Sequence, residues 1–314
     1  MTFAALVYAA NDGASTAERT ILAKHELDYI GHSTPELDRQ FSSRTLAATA
    51  VRSWPAALKR DALAFFLAHP QWSTIYTSTV VESFGVAPEF APNGFHGTAA
   101  WLGSSAELAM GQLLARAYAA GEGTGLWQQL APDWDRQQLA PARVDDLERA
   151  AIAYLRWDAH DALPTVTTLI DPLMPTGTGT NVILGADEVV LVESIWPRRE
   201  DVELTFVHEF LHQPLQRLEG RSEALRHALA ASATAFAGVS PDYGYTTWPS
   251  YVNETLIRCV SYRVMAIADR TTGFTYEPYI SRRLRDYEHG TRDFEAFFVE
   301  LLGELPTAPR EATP

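Results

Sequence analysis

Residues 204–215 have the sequence LTFVHEFLHQPL, in which His208 and His212 are four positions apart and Glu209 follows the first histidine. The apolar residues of this stretch recur at the spacing typical of a helix that packs one face against a core. Side chains at positions i and i+4 leave a helix about 40° apart around its axis and one turn along it. The stretch therefore predicts a buried helix that presents two imidazoles on the same face.

The spacing of His208, Glu209 and His212 suits a metal ion. Two ring nitrogens one turn apart can both bind Zn²⁺ at about 2.0–2.1 Å. Glu209 lies about 100° around the helix from His208, where its carboxylate can contact a metal-bound water and act as a general base. With 9 histidines in 314 residues, chance predicts only about 0.02 occurrences of this pattern. The alternative is a buried helix whose histidines only form hydrogen bonds, although burying these polar groups without a role costs free energy.

A catalytic zinc site needs a third protein ligand and one open position. The extended motif with a glycine and a third histidine on the same stretch is excluded, because Leu215 and Leu218 occupy those positions. Two candidates remain: Asp242, in a predicted loop, and Glu254, on a predicted helix. We favour Glu254, since a helix holds a ligand more rigidly than a loop does. An ion pair between Glu254 and Arg258, one turn later, is a further interpretation that is compatible with metal binding.

The pattern His208-Glu209-x-x-His212 followed by Asn253-Glu254 resembles the gluzincin branch of the zinc metallopeptidases, which includes thermolysin-like and aminopeptidase-like enzymes. The resemblance implies that His208, His212 and Glu254 bind zinc and that Glu209 is the general base. It also implies a zincin-like fold, in which a small sheet or hairpin precedes the helix that carries both histidines.

The C-terminal part of the chain is more closely similar to an uncharacterised bacterial family of predicted zinc metallopeptidases. The shared elements are Tyr245-x-x-Trp248 and Glu254-x-x-x-Arg258, together with the two-histidine helix. One difference separates the chain from the thermolysin-like pattern, which has an aspartate four residues after the ligand glutamate. Here that position is Arg258, so the group that orients the first histidine is not identified. The carboxylates considered for this role are Asp201, Glu203 and Asp242.

Two further residues are candidates for catalysis. The resemblance implies an aromatic hydroxyl in the loop before the second helix, and Tyr245 is the candidate donor to the oxyanion, with Tyr243 and Tyr251 as alternatives. Packing of the Tyr245 ring against Trp248 is an equally good interpretation. Arg258 could bind the oxyanion or a substrate carboxylate, or only form the ion pair described above.

The distribution of helical and β-branched patterns predicts an α+β fold that is mostly helical. Two β-branched runs, 181–184 and 188–193, predict a hairpin just before the two-histidine helix. We expect a mainly helical region at 1–150, a catalytic region at 151–304 and a tail at 305–314. Helices are expected at 16–30, 34–46, 55–68, 108–120, 143–157, 200–217, 222–237, 250–268, 276–288 and 291–303. Residues 87–97, 131–142 and 172–180 are rich in proline or glycine and are expected to be connections.

Charge and composition narrow the possible partners. The net charge of −14 disfavours binding to nucleic acid or to an anionic membrane surface. Cys259 is the only cysteine of the chain, which excludes an intrachain disulfide. No apolar run reaches the length of a membrane span, and the apolar N-terminus lacks the basic residues of a signal peptide. We expect a cytoplasmic protein, or a secreted or periplasmic one if a signal peptide has been removed.

These patterns together predict a zinc metallopeptidase that acts on a peptide or protein substrate. Two alternatives stay open: a catalytically silent zincin-fold scaffold that binds a peptide or protein, and a zinc hydrolase of a non-peptide amide or ester. The intact Glu209 argues against the scaffold, because a buried carboxylate without a role is costly. The sequence does not predict the oligomeric state.

Overall fold

The computed structural model describes residues 2–24, 43–69, 105–157, 165–171, 179–183, 188–237, 239, 245, 247–268 and 273–310. Most of these residues are helical and a minority form one small sheet, which confirms the α+β class at this coarse level. Among the described helices, none has both the length and the apolar composition that crossing a bilayer requires.

Twelve α-helices lie within the described residues. They are α1 (Thr2–Gly13), α2 (Thr16–Lys24), α3 (Ser43–Arg52), α4 (Ala56–Ala68), α5 (Ser105–Thr124), α6 (Leu126–Gln137), α7 (Pro141–Tyr154), α8 (Arg199–Arg221), α9 (Glu223–Ala231), α10 (Trp248–Val264), α11 (Glu277–His289) and α12 (Phe294–Glu304). Short 3₁₀ turns follow α9 at Ser232–Phe236 and α12 at Leu305–Thr307. The strands are β1 (Thr165–Ile170), β2 (Gly179–Ile183) and β3 (Glu188–Glu193).

The chain divides into two compact units, each made of two segments. The first unit consists of Met1–Gln138 and Leu163–Thr205, and the second of Leu139–Ala162 and Phe206–Pro314. All residues of the candidate metal site that the structure describes belong to the second unit. The catalytic region at 151–304 stays a prediction.

The first unit contains the sheet, in which β3 is the central strand. Strands β2 and β3 pair antiparallel with Asn181 opposite Leu191, which confirms the predicted hairpin pairing; its turn lies outside the described residues. Strand β1 pairs parallel with β3 from Thr165 opposite Glu188 to Ile170 opposite Glu193. This third strand was not predicted from the sequence. The central position of β3 explains why Val189, Val190 and Leu191 are fully buried.

The helices of the first unit enclose an apolar core. Its fully buried side chains include Leu6, Leu22, Leu58, Phe66, Met110, Leu114 and Leu130. A buried hydrogen bond of 2.9 Å from Ser43 Oγ to Asp133 Oδ2 joins α3 to α6. Apolar packing favours the helical conformation of α6, because Leu126 and Leu130 lie one turn apart and are both buried.

Two boundaries differ from those predicted. Residues 131–142 were expected to be a connection, but α6 continues through Pro132 to Gln137. A proline inside a helix removes one backbone hydrogen bond, and here burial of the apolar face of α6 outweighs that loss. Helix α5 was expected to end at Gly121 but reaches Thr124. It stops before Gly125, whose φ of 62° is the left-handed conformation that glycine adopts without strain.

The other predicted helices lie where the sequence placed them, with shifts of a few residues at their ends. Helix α1 was not predicted, and α3 continues to Arg52, six residues beyond the predicted end. The predicted helix at 34–46 is described only from Ser43, and the connection at 87–97 lies outside the described residues. Of the connection expected at 172–180, residues 172–178 lie outside them as well, and the last two residues belong to β2. Leu305 is fully buried although it was assigned to the tail, so the packed chain extends beyond residue 304. Apolar packing onto neighbouring helices, rather than any local signal, keeps this part of the chain ordered.

Candidate metal centre

Helix α8 carries both histidines and is anchored by buried apolar side chains. Phe206, Phe210 and Leu211 are completely inaccessible to solvent, as the apolar spacing of this stretch predicted. The rings of Phe206 and Phe210 stack with their centroids 6.2 Å apart. His208 and His212 leave the helix on a different side from these apolar residues and stay partly accessible. The exposed fraction is 16% for the His208 side chain and 29% for the His212 side chain.

Helix α10 supplies the third candidate ligand. Its first turn is capped by Thr247, whose hydroxyl oxygen accepts a hydrogen bond from the backbone N–H of Ser250. Asn253 Nδ2 donates a hydrogen bond of 3.2 Å to Glu219 Oε2 of α8, which links the two helices next to the site. The carboxylate of Glu254, one residue later, is almost entirely buried.

The two helices bring three potential ligand atoms together. Glu254 Oε1 lies 3.4 Å from His208 Nε2, and Glu254 Oε2 lies 3.7 Å from His212 Nε2. One ligand atom from each of these residues falls within 4.8 Å of the others. Two ligands bound tetrahedrally to zinc at about 2.1 Å are about 3.4 Å apart, so the observed separations suit a shared ion. Of the two third ligands considered from the sequence, Glu254 lies at the histidines and Asp242 lies outside the described residues.

Glu209, the predicted general base, lies at the edge of this group. Its Oε1 atom is 4.0 Å from His208 Nε2, and 8% of its side chain is exposed. It follows His208 in the sequence, so its side chain leaves the helix in a different direction from the two imidazoles. This position is next to the three potential ligands and is not one of them.

The charges of the site act strongly on one another. Burial acts to raise the pKa of Glu254, but the neighbouring His208, together with Arg258 and His212, outweighs burial and holds this pKa well below its usual range. Burial also acts to lower the pKa of His208, but the Glu254 carboxylate outweighs it and raises this pKa above its usual value. Burial lowers the pKa of His212. Glu254 is therefore ionised at neutral pH and available as an anionic ligand.

Arg258 forms the ion pair with Glu254 that the sequence suggested. Its Nη2 atom lies 2.8 Å from Glu254 Oε1, and its guanidinium carbon lies 5.0 Å from the centre of the Phe274 ring. Burial acts to lower the pKa of Arg258, but the Glu254 carboxylate outweighs it and raises this pKa. Phe274 was not among the residues predicted to belong to the site. The glycine before it, Gly273, was a signal in the sequence. Its φ of 95° is a conformation that favours glycine, and it marks the turn that positions the Phe274 ring.

The candidate tyrosines that the structure describes, Tyr245 and Tyr251, have different surroundings. The ring of Tyr245, which is half-buried, packs against Phe274 with a centroid distance of 5.9 Å. Trp248 stacks on Tyr251 with a centroid distance of 6.2 Å, and the alternative packing of Tyr245 against Trp248 stays a prediction. The Tyr251 hydroxyl is buried and accepts a hydrogen bond of 2.8 Å from the backbone N–H of Thr275. Tyr243 lies outside the described residues, and the oxyanion role of Tyr245 stays a prediction.

The two carboxylates proposed on α8 to orient His208 each have an arginine partner, and their role towards His208 stays a prediction. Asp201 accepts two hydrogen bonds of 2.7 Å from Arg198, and Glu203 lies 3.9 Å from Arg199. Glu254 Oε1, at 3.4 Å, lies closer to His208 Nε2 than Glu209 Oε1 does, at 4.0 Å.

No protein-family model, curated protein or solved structure matches the chain. The resemblance to gluzincins therefore stays a prediction that depends on the motif residues alone. The function proposed below is inferred from the positions and charges of the side chains in the site.

Proposed function

We propose that the chain is a zinc-dependent hydrolase of peptide bonds, with zinc held by His208, His212 and Glu254 and with Glu209 as the general base. The observation that supports the proposal is the convergence of two imidazole nitrogens and one carboxylate oxygen within 4.8 Å. Two imidazoles and one carboxylate form a ligand set found in catalytic zinc sites, where a fourth position stays open.

The electrostatics of the site favour a cation at this position. Glu209 and Glu254 are both buried, and a buried carboxylate is costly unless a positive charge compensates it. Arg258 forms an ion pair with Glu254. A bound divalent cation would add positive charge beside this buried carboxylate and would replace a proton on His208, whose pKa Glu254 raises.

A bound zinc ion would polarise the scissile carbonyl and lower the pKa of water to about 7. Glu209 accepts the proton from the attacking water and then donates it to the leaving amine. Its position beside His208 and its low exposure suit this task, because few solvent molecules compete for the carboxylate. Tyr245, near Arg258, donates a hydrogen bond to the oxygen that becomes negatively charged.

The proposed partners are peptides or proteins, and the net charge of −14 argues against nucleic acid and anionic membranes as substrates.

The experiment that tests the proposal compares wild-type protein with Glu209→Gln. We expect both to bind about one zinc per chain, and we expect the variant to lose at least about 100-fold of the peptide-hydrolysis rate, a loss in the range of general-base catalysis. The measurements are zinc content after dialysis and cleavage of a diverse peptide mixture followed by mass spectrometry. Glu200→Gln, an exposed position in the first turn of α8, is the matched control and should retain both properties.

Three other outcomes have defined meanings. Full hydrolysis by Glu209→Gln would show that Glu209 is not the base. Wild-type protein that binds zinc but cleaves no peptide would favour the silent peptide-binding scaffold. Cleavage of simple amides or esters without cleavage of peptides would favour the non-peptide hydrolase.

A further inference from the structure

Arg258 occupies the position one turn after Glu254 on α10. Its Nη2 atom donates to Glu254 Oε1 over 2.8 Å, the length of a strong hydrogen bond between charged groups. The Glu254 side chain is only 5% exposed, so water competes little for this contact. The interaction is thus a fixed part of the site and not a solvated surface pair.

An aromatic surface holds the guanidinium from its other side. The guanidinium carbon lies 5.0 Å from the centre of the Phe274 ring, a cation–π distance. Phe274 is fully buried and packs against Tyr251 with a centroid distance of 5.2 Å. The Tyr251 hydroxyl is in turn bound by the backbone N–H of Thr275. These contacts restrict the directions in which Arg258 can point.

The two oxygens of Glu254 therefore have different surroundings. Oε1 lies 3.4 Å from His208 Nε2 and also accepts the hydrogen bond from Arg258, whereas Oε2 lies 3.7 Å from His212 Nε2. A carboxylate can bind a metal ion through one oxygen or through both. An oxygen that already accepts a charged donor is a weaker ligand, because its electron density is drawn towards the donor.

We propose that Arg258 is a positioning residue that restricts Glu254 to one metal-binding oxygen, Oε2, and keeps Oε1 for itself. This inference depends on the proposed zinc site. Two histidine nitrogens and one carboxylate oxygen give three protein donors and leave a fourth position open, which a catalytic zinc requires. A second carboxylate oxygen would fill that position. Arg258 also repels the ion because both are positive, so the residue lowers zinc affinity while it keeps the site open.

The test compares zinc-loaded wild-type protein with zinc-loaded Arg258→Met. We expect the variant to bind zinc about tenfold more tightly, because a positive charge has been removed, and to lose about 10–100-fold in kcat. The zinc dissociation constant is measured by competition with a chelator. Crystal structures of the zinc-loaded proteins should show one Glu254 oxygen bound to zinc in the wild type and both bound in the variant.

Two variants control for a merely structural role. Arg258→Lys keeps one charged donor and should retain a zinc affinity close to that of the wild type. Arg116→Met removes a solvent-exposed arginine of α5, whose partner is Asp61, and should leave the zinc dissociation constant unchanged. A loss of folding alone would weaken zinc binding, which is opposite in sign to the expected effect of Arg258→Met.

The inference is wrong if zinc binds both Glu254 oxygens in the wild type, or if Arg258→Met binds zinc more weakly. If Arg258→Met does not fold, the zinc-loaded wild-type structure decides the question alone. Two results would tell a failure of the proposed function apart from a failure of this inference. A wild type that binds no zinc contradicts both proposals. A wild type that binds zinc, together with a fully active Glu209→Gln variant, contradicts only the proposed function.

Discussion

At the scale of single residues, the buried Glu254 carboxylate is the most constrained group of the site. His208 Nε2, His212 Nε2 and Arg258 Nη2 all lie within 3.7 Å of one of its oxygens. A carboxylate surrounded in this way stays ionised, and its charge is available to a cation. Removal of Glu254 would leave the Arg258 guanidinium without this partner.

We expect His208→Ala to lose at least about 100-fold in zinc affinity. Structural zinc sites contribute about 10–16 kcal/mol in total, so one of about four ligands is worth about 3 kcal/mol. Isothermal titration with zinc measures the change. The matched control is His227→Ala on α9, an exposed histidine 3.8 Å from Glu223, which should bind zinc like the wild type. Equal losses in both variants would show that His208 is not a specific ligand.

The sequence predicted the neighbourhood of His208 and His212 because their geometry depends only on helical spacing. The proximity of Glu254 depends on how α10 packs, so the sequence left Asp242 as an alternative. Phe274 could not be predicted for a related reason, since its contact with Arg258 is made across two separate segments. Local periodicity contains no information about such contacts.

At the scale of secondary-structure elements, paired polar groups hold the helices of the second unit together. Glu288 of α11 accepts hydrogen bonds from Arg263 Nε of α10, at 2.7 Å, and from the Tyr154 hydroxyl of α7, at 2.9 Å. Tyr287 donates to the backbone carbonyl of Tyr154 over 2.8 Å. These bonds fix α10, and with it the Glu254 carboxylate, to two neighbouring helices.

We expect Glu288→Gln to lower the free energy of unfolding by about 1 kcal/mol at neutral pH. The hydrogen bond from Arg263 holds the pKa of Glu288 below its usual value of 4.5 in the folded chain. The contribution is therefore complete above that value and is lost as the pH falls through the lower, folded-state pKa. Denaturant unfolding of both proteins from neutral to acidic pH measures it. A difference between them that persists undiminished in acid would contradict the assignment.

The helices of the second unit were predicted well because their apolar stripes recur at helical spacing. Helix α10 was expected from residue 250 and begins at Trp248, where the Thr247 cap and a proline in the first turn set the boundary. Helix α6 was not predicted, because Pro132 is a local signal against a helix that packing overrides.

At the scale of the whole molecule, each compact unit combines two distant segments of chain. The hairpin of β2 and β3 was predictable because its strands are neighbours in the sequence. Strand β1 is rich in β-branched residues, Thr165 to Thr168 among them, yet its parallel partner β3 begins 18 residues after β1 ends. Parallel pairing needs such a long connection, so short-range patterns do not reveal it.

The most direct test of the account is the zinc content of three purified proteins: the wild type, Glu254→Gln and Asp242→Asn. Glutamine keeps the shape of Glu254 and can still accept the hydrogen bond from Arg258, so the variant removes little but the anionic ligand. We expect about one zinc per chain in the wild type and in Asp242→Asn, and a loss of bound zinc in Glu254→Gln. Zinc retained by Glu254→Gln, or lost only from Asp242→Asn, would contradict the account.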